Sequence, residues 1–230
     1  MKITPVRSGV VVLGLAIASA GLLAMSASQA DNAASEIAML AGDRSNRSPL
    51  ATLVRGEVDS IHRRETAVAA MPCFWSGEGY FGALDCVYRT TAGYVGADEV
   101  VEVEFDPSVI SYQSLITGAR DAGMAVKVYC RTDAQLEAAR HFVGAAAVRS
   151  DERVRPDENP KWYVLQTPLK SVPMTPAQAC RISAALHAHR DVLPLLSPSQ
   201  QIMYDRAKGR DAAAISEADR LAFLGKIRQR

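Results

Sequence analysis

The sequence predicts an α+β fold, a ferredoxin-like βαββαβ sandwich with an appended C-terminal helical region. Three observations predict it. The run Glu99-Val100-Val101-Glu102-Val103-Glu104-Phe105 alternates from Val101 onward, as a half-buried strand does. Segments 74–84 and 111–122 read as helices, the first with Phe74, Trp75, Phe81 and Leu84 at helical spacing. Gly96-Ala97-Asp98 is a link short enough for a hairpin, which makes the runs on either side of it antiparallel neighbours.

Each element follows in order. The apolar run 66–71 ends at Pro72, and a residue before proline is biased to extended backbone, so the first strand stands here. Helix 74–84 follows at once. Segment 86–95, rich in Val, Tyr and Thr, forms the second strand and 99–105 the third. Asp106-Pro107-Ser108 breaks that strand, helix 111–122 stops at Gly123, and 126–129 is the fourth strand. Beyond it, Leu136, Ala139, Phe142 and Val143 share one face of a predicted helix 133–148, and a charged loop 149–161 follows. Trp162 and Tyr163 read as anchors that dock the tail on the core. Thr175-Pro176-Ala177-Gln178 and Ser197-Pro198-Ser199-Gln200 each carry an N-cap hydroxyl, proline at the first helical position and glutamine three after the cap. Ser216-Glu217-Ala218-Asp219 marks a third helix start.

The chain opens with Lys2 and Arg7, an apolar stretch 9–25 and the small-x-small signal Ser28-Gln29-Ala30 ahead of Asp31. This pattern predicts a secretory signal peptide over 1–30. An uncleaved anchor, the competing reading, needs about 20 apolar residues, and this stretch is shorter and diluted by Ala, Ser and Gly. The expected location is periplasmic or secreted, with no stable membrane insertion after cleavage. Residues 31–64, rich in Ala, Ser, Asn and Arg, are expected to be a mobile lead-in with a short helix around 37–40. The expected organisation is therefore 1–30, 31–64, a core domain 65–148 and a helical extension 149–230.

In an oxidising compartment the four cysteines are compatible with two disulfides, in any of three connectivities. The chain carries 26 basic and 25 acidic side chains. Loss of Lys2 and Arg7 keeps the charge near zero, which gives no electrostatic case for nucleic acid or anionic lipid. His187 and His189 stand two apart and face different sides of a helix, and no clustered ligand motif predicts a metal.

The chemistry concentrates in Pro72-Cys73-Phe74-Trp75-Ser76-Gly77-Glu78, which joins one of four cysteines to one of two tryptophans. In a 4-1-3-2 sheet, Cys73, Tyr94 and Glu99 fall on one rim. Cys73 also opens a helix, where unpaired N–H groups and the macrodipole favour a thiolate. The aromatic pair can hold a small apolar or thioether-like group against the sulfur, and Glu99 can give a proton to a leaving oxygen. The plainer readings make Cys73 a structural half-cystine, Glu99 an exposed strand-start carboxylate, Tyr94 a packed aromatic and Glu78 an acid favoured by the helix dipole.

These residues carry a resemblance. Segment 69–133 resembles the peptide methionine sulfoxide reductase family of the A type, whose hallmark is Gly-Cys-Phe-Trp, a small pair and Glu. Further collinear matches are Thr91-Ala92-Gly93-Tyr94, Asp98-Glu99-Val100-Val101-Glu102-Val103 and Phe105-Asp106-Pro107-Ser108-Val109-Ile110-Ser111-Tyr112. The resemblance implies that Cys73 attacks a sulfoxide sulfur, that Glu99 protonates the departing oxygen, and that Phe74 and Trp75 enclose the methyl group, with Tyr94 at the substrate. It implies oxidised methionine in peptides or proteins as substrate and no bound cofactor. Cys73 would become a sulfenic acid, returned to thiol by a second thiol and an external reductant, a thioredoxin-like protein or dithiothreitol. Cys86 begins the second strand at the opposite rim and Cys130 ends a strand that runs away from the site. Cys180, in the tail where the family's resolving cysteines lie, is the resolving candidate; a packed helix residue is the competing reading.

Two links depart from the family. Only residues 95–98 stand where members carry a longer insert with an oxygen-binding tyrosine, and only 121–123 where they carry an aspartate and a second tyrosine. The alternatives to an enzyme are a non-catalytic binding module on the same fold and a periplasmic copper- or thiol-binding protein.

Overall fold

The computed structural model describes residues 28–209 and 215–228. Most of the expected signal peptide lies outside them; residues 28–30 begin the first helix, α1 (28–42). Among the described residues no helix is long and apolar enough to cross a membrane.

In place of a lead-in with one short helix, 31–64 holds most of α1 and all of α2 (Pro49–Asp59). Ser48 caps α2 by accepting from the Ala51 N–H at 3.3 Å, with Pro49 at the first helical position. The two helices bury Ala33, Ala34, Ile37, Leu50 and Val54 against Phe223, from the other end of the chain. Neither helix has enough apolar surface to announce itself locally, and packing supplies the stability that propensity does not.

The core elements are β1 (Glu65–Ala70), α3 (Phe74–Gly82), β2 (Val87–Val95), β3 (Asp98–Phe105), α4 (Tyr112–Asp121) and β4 (Lys127–Cys130). The described residues thus form an α+β structure around one six-stranded sheet of order β5-β4-β1-β3-β2-β6. β3 pairs antiparallel with both β1 and β2, and β1 pairs antiparallel with β4. Ala67, Ala69, Val101 and Val103 face the helices, together with Phe74, Phe81, Leu115 and Ile116. The alternate residues Val68, Ala70 and Val100 meet Val95 and Tyr129 on the other face.

Two strands were not expected. The helix predicted over 133–148 stops earlier, as α5 (Asp133–Val143), because Gly144 takes φ 58 and turns the chain. β5 (Ala147–Arg149) then pairs parallel with β4. Inside the charged stretch 149–161, β6 (Arg155–Pro156) pairs antiparallel with Gly93 and Tyr94 of β2. A two-residue exposed strand is too short to leave a period in the sequence.

The tail holds α6 (Trp162–Leu165), α7 (Pro176–His187), α8 (Pro198–Lys208) and α9 (Glu217–Arg228). Both capping boxes form, at Thr175 with Gln178 and at Ser197 with Gln200. α7 lies along α3 so closely that a β-carbon on Gly82 would fall 2.5 Å from the Cys180 carbonyl oxygen. Cys180 accordingly belongs to the main core.

Candidate active site

The site is built where β1 ends. The sheet register continues one step past Ala70, with the Met71 N–H donating to the Glu99 carbonyl at 3.1 Å. Pro72 then turns the chain and Cys73 becomes the N-cap of α3, extended at φ −148 and ψ 107. Its carbonyl accepts the first helical bond from Gly77 at 3.1 Å, while its side chain makes no capping bond. Cys73 is left partly buried at the N-terminus of the helix.

Glu99 supplies the anion that such a turn attracts. One of its carboxylate oxygens accepts from the Phe74 N–H at 3.0 Å, which holds the acid against the residue next to Cys73. The cause is register: Tyr94 pairs with Glu99 across the hairpin, one step beyond the pairing of Ala70 with Val100. Phe74 is buried, with the Tyr94 ring edge-on at 5.3 Å and the Trp75 ring tilted at 5.5 Å. The structure thus brings together Cys73, Glu99, Phe74, Trp75 and Tyr94.

It does not bring Cys180 to them. Cys180 is fully buried beside Gly82 at the far end of α3, whose nine residues span about 13 Å at 1.5 Å per residue. Its sulfur lies 3.4 Å from the Thr90 hydroxyl, and burial pushes its thiol up from the ordinary range. The reason is the docking of α7, which turns Cys180 into the sheet-facing core. Cys86 and Cys130 are also buried, with their thiols pushed up by desolvation, and all four cysteines are free.

Glu78 does more than favour a helix dipole. It is buried, takes hydrogen bonds from the Thr90 hydroxyl at 3.1 Å and the Lys161 N–H at 3.2 Å, and is ion-paired to the Lys161 ammonium. That ammonium also binds the Thr90 hydroxyl at 2.9 Å. A buried charge so compensated braces α3 against β2 and the tail.

Sequence reasoning missed the strap 154–162. The Trp75 indole N–H donates to Asp157 at 3.1 Å, Trp162 stacks on Trp75 at 4.3 Å and 11°, and the Arg155 guanidinium lies 4.6 Å over the Tyr94 ring. The available signal was the second of two tryptophans, placed in an otherwise charged stretch. Among the described residues no group of three or more His, Cys, Asp or Glu side chains is placed to hold a metal ion.

A partly buried cysteine at a helix N-terminus, a carboxylate on the neighbouring amide and an aromatic wall form an arrangement in which a thiol could meet a small electrophile. No protein-family model matches the chain. It is similar to the peptide methionine sulfoxide reductase of Drosophila melanogaster, 27% identical over 162 residues, which covers 61% of this chain and 63% of that protein. It is also similar to the peptide methionine sulfoxide reductase MsrA of Cronobacter sakazakii, 41% identical over 69 residues, 23% of this chain and 32% of that one. Peptide methionine sulfoxide reductase A5 of Arabidopsis thaliana is 38% identical over 73 residues, 26% of this chain and 29% of that one. The chain thus spans less than two thirds of the length of these relatives. The Cronobacter match runs over 69 positions yet takes up only 23% of these 230 residues, so the relative carries residues there that this chain lacks. The chain is a divergent relative of the peptide methionine sulfoxide reductases.

Proposed function

We propose that this chain is an oxidoreductase that reduces methionine sulfoxide in peptides or proteins through Cys73. The observation that carries the reading is the Glu99 carboxylate on the Phe74 amide, next in sequence to the partly buried Cys73. The Cys73 thiolate attacks the sulfoxide sulfur and a proton from Glu99 goes to the oxygen. As the Cys73–sulfur bond forms, the sulfur–oxygen bond breaks and the oxygen, taking a second proton from solvent, leaves as water. Water then attacks the Cys73 sulfur, the sulfur–sulfur bond breaks, the thioether leaves, a proton returns to solvent and Cys73 stands oxidised as the sulfenic acid. Phe74, Trp75 and Tyr94 hold the methyl group.

The sulfenic acid condenses with a thiol, water leaves, and a second thiol cleaves the mixed disulfide to restore Cys73. With Cys180 at the far end of α3, both thiols come from the external reductant, a thioredoxin-like dithiol or dithiothreitol. Cys180 serves as resolving thiol only if α7 leaves α3. The antiparallel order β4-β1-β3-β2 supports the ferredoxin-like reading, widened by an edge strand on each side. The leader pattern at 1–30 supports export to the periplasm or beyond.

The test is turnover of a methionine sulfoxide peptide with dithiothreitol by wild type, Cys73→Ser and Glu99→Gln. Wild-type turnover no higher than that of Cys73→Ser would leave a peptide-binding module on this fold and sink the enzyme.

A further inference from the structure

We propose that the strap 154–162 is the substrate-positioning element of this site, with Asp157 the residue that fixes the Trp75 wall and Trp162 its backing, an inference that rests on the reductase reading above. Trp75 is half-buried at the start of a nine-residue helix. A wall that is to hold a methyl group against a sulfur has to keep one rotamer, and freezing a side chain at the moment of binding costs affinity.

Three contacts freeze Trp75 beforehand. Asp157 takes its indole N–H at 3.1 Å, Trp162 covers one ring face at 4.3 Å, and Phe74 meets it at 5.5 Å. Asp157 is itself held by backbone. Its N–H donates to the Ala92 carbonyl at 2.9 Å, and β6 pairs with Gly93 and Tyr94 just before it. Gly93 makes that approach possible, because a β-carbon there would fall 2.3 Å from the Arg155 carbonyl oxygen. The strap therefore reaches the aromatic wall as a fixed element of the sheet edge. It touches two side chains of that wall, Trp75 through Asp157 and Trp162 and Tyr94 through Arg155.

The tryptophans allow a direct test, since the chain has two and they are the stacked pair, so intrinsic fluorescence reports on this site alone. A methionine sulfoxide peptide is titrated into Cys73→Ser protein, which cannot turn over, with Asp157 intact, as Asp157→Ala and as Asp157→Asn. In parallel, kcat and KM are measured for the same Asp157 variants with Cys73 present. The expected result is a dissociation constant and a KM raised roughly three- to tenfold in Asp157→Ala, the worth of one hydrogen bond, with kcat within about twofold. Asp157→Asn, whose amide oxygen still accepts the indole N–H, stays within about twofold of the parent in both. The rate of Cys73 alkylation, unchanged in every variant that carries it, shows that the fold and the nucleophile are intact. Equal affinity and KM for Asp157→Ala and wild type, with wild type turning over, overturns the positioning role and leaves the reductase standing. Loss in Asp157→Asn as large as in Asp157→Ala also overturns it. A wild-type protein that does not reduce the peptide overturns the reductase reading, and this role with it.

Discussion

The Glu99 carboxylate and the Phe74 N–H stand 3.0 Å apart and tie the start of β3 to the first turn of α3. Twenty-five residues separate them in sequence, and the antiparallel register of β1 with β3 brings them together. One bond thereby gives the helix an anionic partner at its positive end and leaves the acid beside Cys73.

That double duty separates structure from chemistry by mutation. Glu99→Gln keeps an oxygen for the Phe74 N–H and removes the proton donor. Thermal stability should stay within a degree or two while kcat falls by roughly 10²- to 10⁴-fold, the usual worth of a general acid. Glu99→Ala also loses the helix contact and should cost about 1 kcal/mol in urea unfolding. A Glu99→Gln enzyme with near wild-type kcat would remove Glu99 from the proton path.

The thiols should react in an order set by burial. Cys73 is only partly buried, whereas Cys130 and Cys180 are fully buried and Cys86 nearly so. Iodoacetamide should label Cys73 first, and the other three only on unfolding. Cys180→Ser should keep dithiothreitol-dependent turnover within about twofold, since its side chain lies beside Thr90 and away from the nucleophile. Mass spectrometry of the peroxide-treated protein should find no Cys73–Cys180 disulfide; that disulfide in good yield would show that α7 leaves α3 during the reaction.

Acid should weaken the fold through Asp106. Its carboxylate is buried, takes three hydrogen bonds from Arg63 at 2.6–3.0 Å and two from Ser108, and its pKa is held down to about 2 from 3.8. A depressed carboxylate stabilises fully above its unfolded pKa, and that stability is lost as pH falls from about 4 through about 2. The contribution is on the order of 1–2 kcal/mol, reduced by solvent screening at the half-exposed Arg63. Urea midpoints at pH 2, 3, 4 and 7 should fall across that window in wild type. In Asp106→Asn they should start lower at pH 7 and fall less.

The central sheet and the motif were legible because they are local. Alternation at 101–105, the hairpin link 96–98 and the proline caps at Pro176 and Pro198 each announce themselves within a few residues. Glu99 became a partner of Cys73 through strand order, which follows from the element pattern. Invisible from sequence were features that depend on distant partners. α1 and α2 gain their burial from Phe223, and β6 exists through its pairing with Gly93 and Tyr94. Cys180 was the resolving candidate because it lies in the tail, and only the packing of α7 on α3 shows it sealed in the core.

α7 is also tied to α8 by a buried amide pair, which gives the last prediction. Gln178 and Gln200 are both fully buried and close their own capping boxes, their side-chain oxygens accepting from the Thr175 N–H at 3.1 Å and the Ser197 N–H at 2.9 Å. They also bond each other reciprocally, at 2.8 and 3.1 Å, and each gives its remaining N–H to a backbone carbonyl, Leu195 for Gln178 and Pro173 for Gln200. Every amide hydrogen is used, so removing one partner strands several buried polar groups. Gln178→Ala should destabilise the protein by roughly 2–3 kcal/mol. Gln178→Glu is nearly isosteric but turns a donor into an acceptor facing the Leu195 carbonyl and the Gln200 oxygen. It should cost at least as much at pH 7 and recover part of the loss at pH 4, where the carboxyl can regain a proton. Urea unfolding at both pH values reads these differences, and a Gln178→Glu protein within 0.5 kcal/mol of wild type at pH 7 would contradict the network, that margin being the scatter of neutral surface changes. Because α7 carries both Gln178 and Cys180, the same Gln178→Ala variant should open Cys180 to alkylation in the folded state, which links the strength of this amide pair to the sealing of the second thiol.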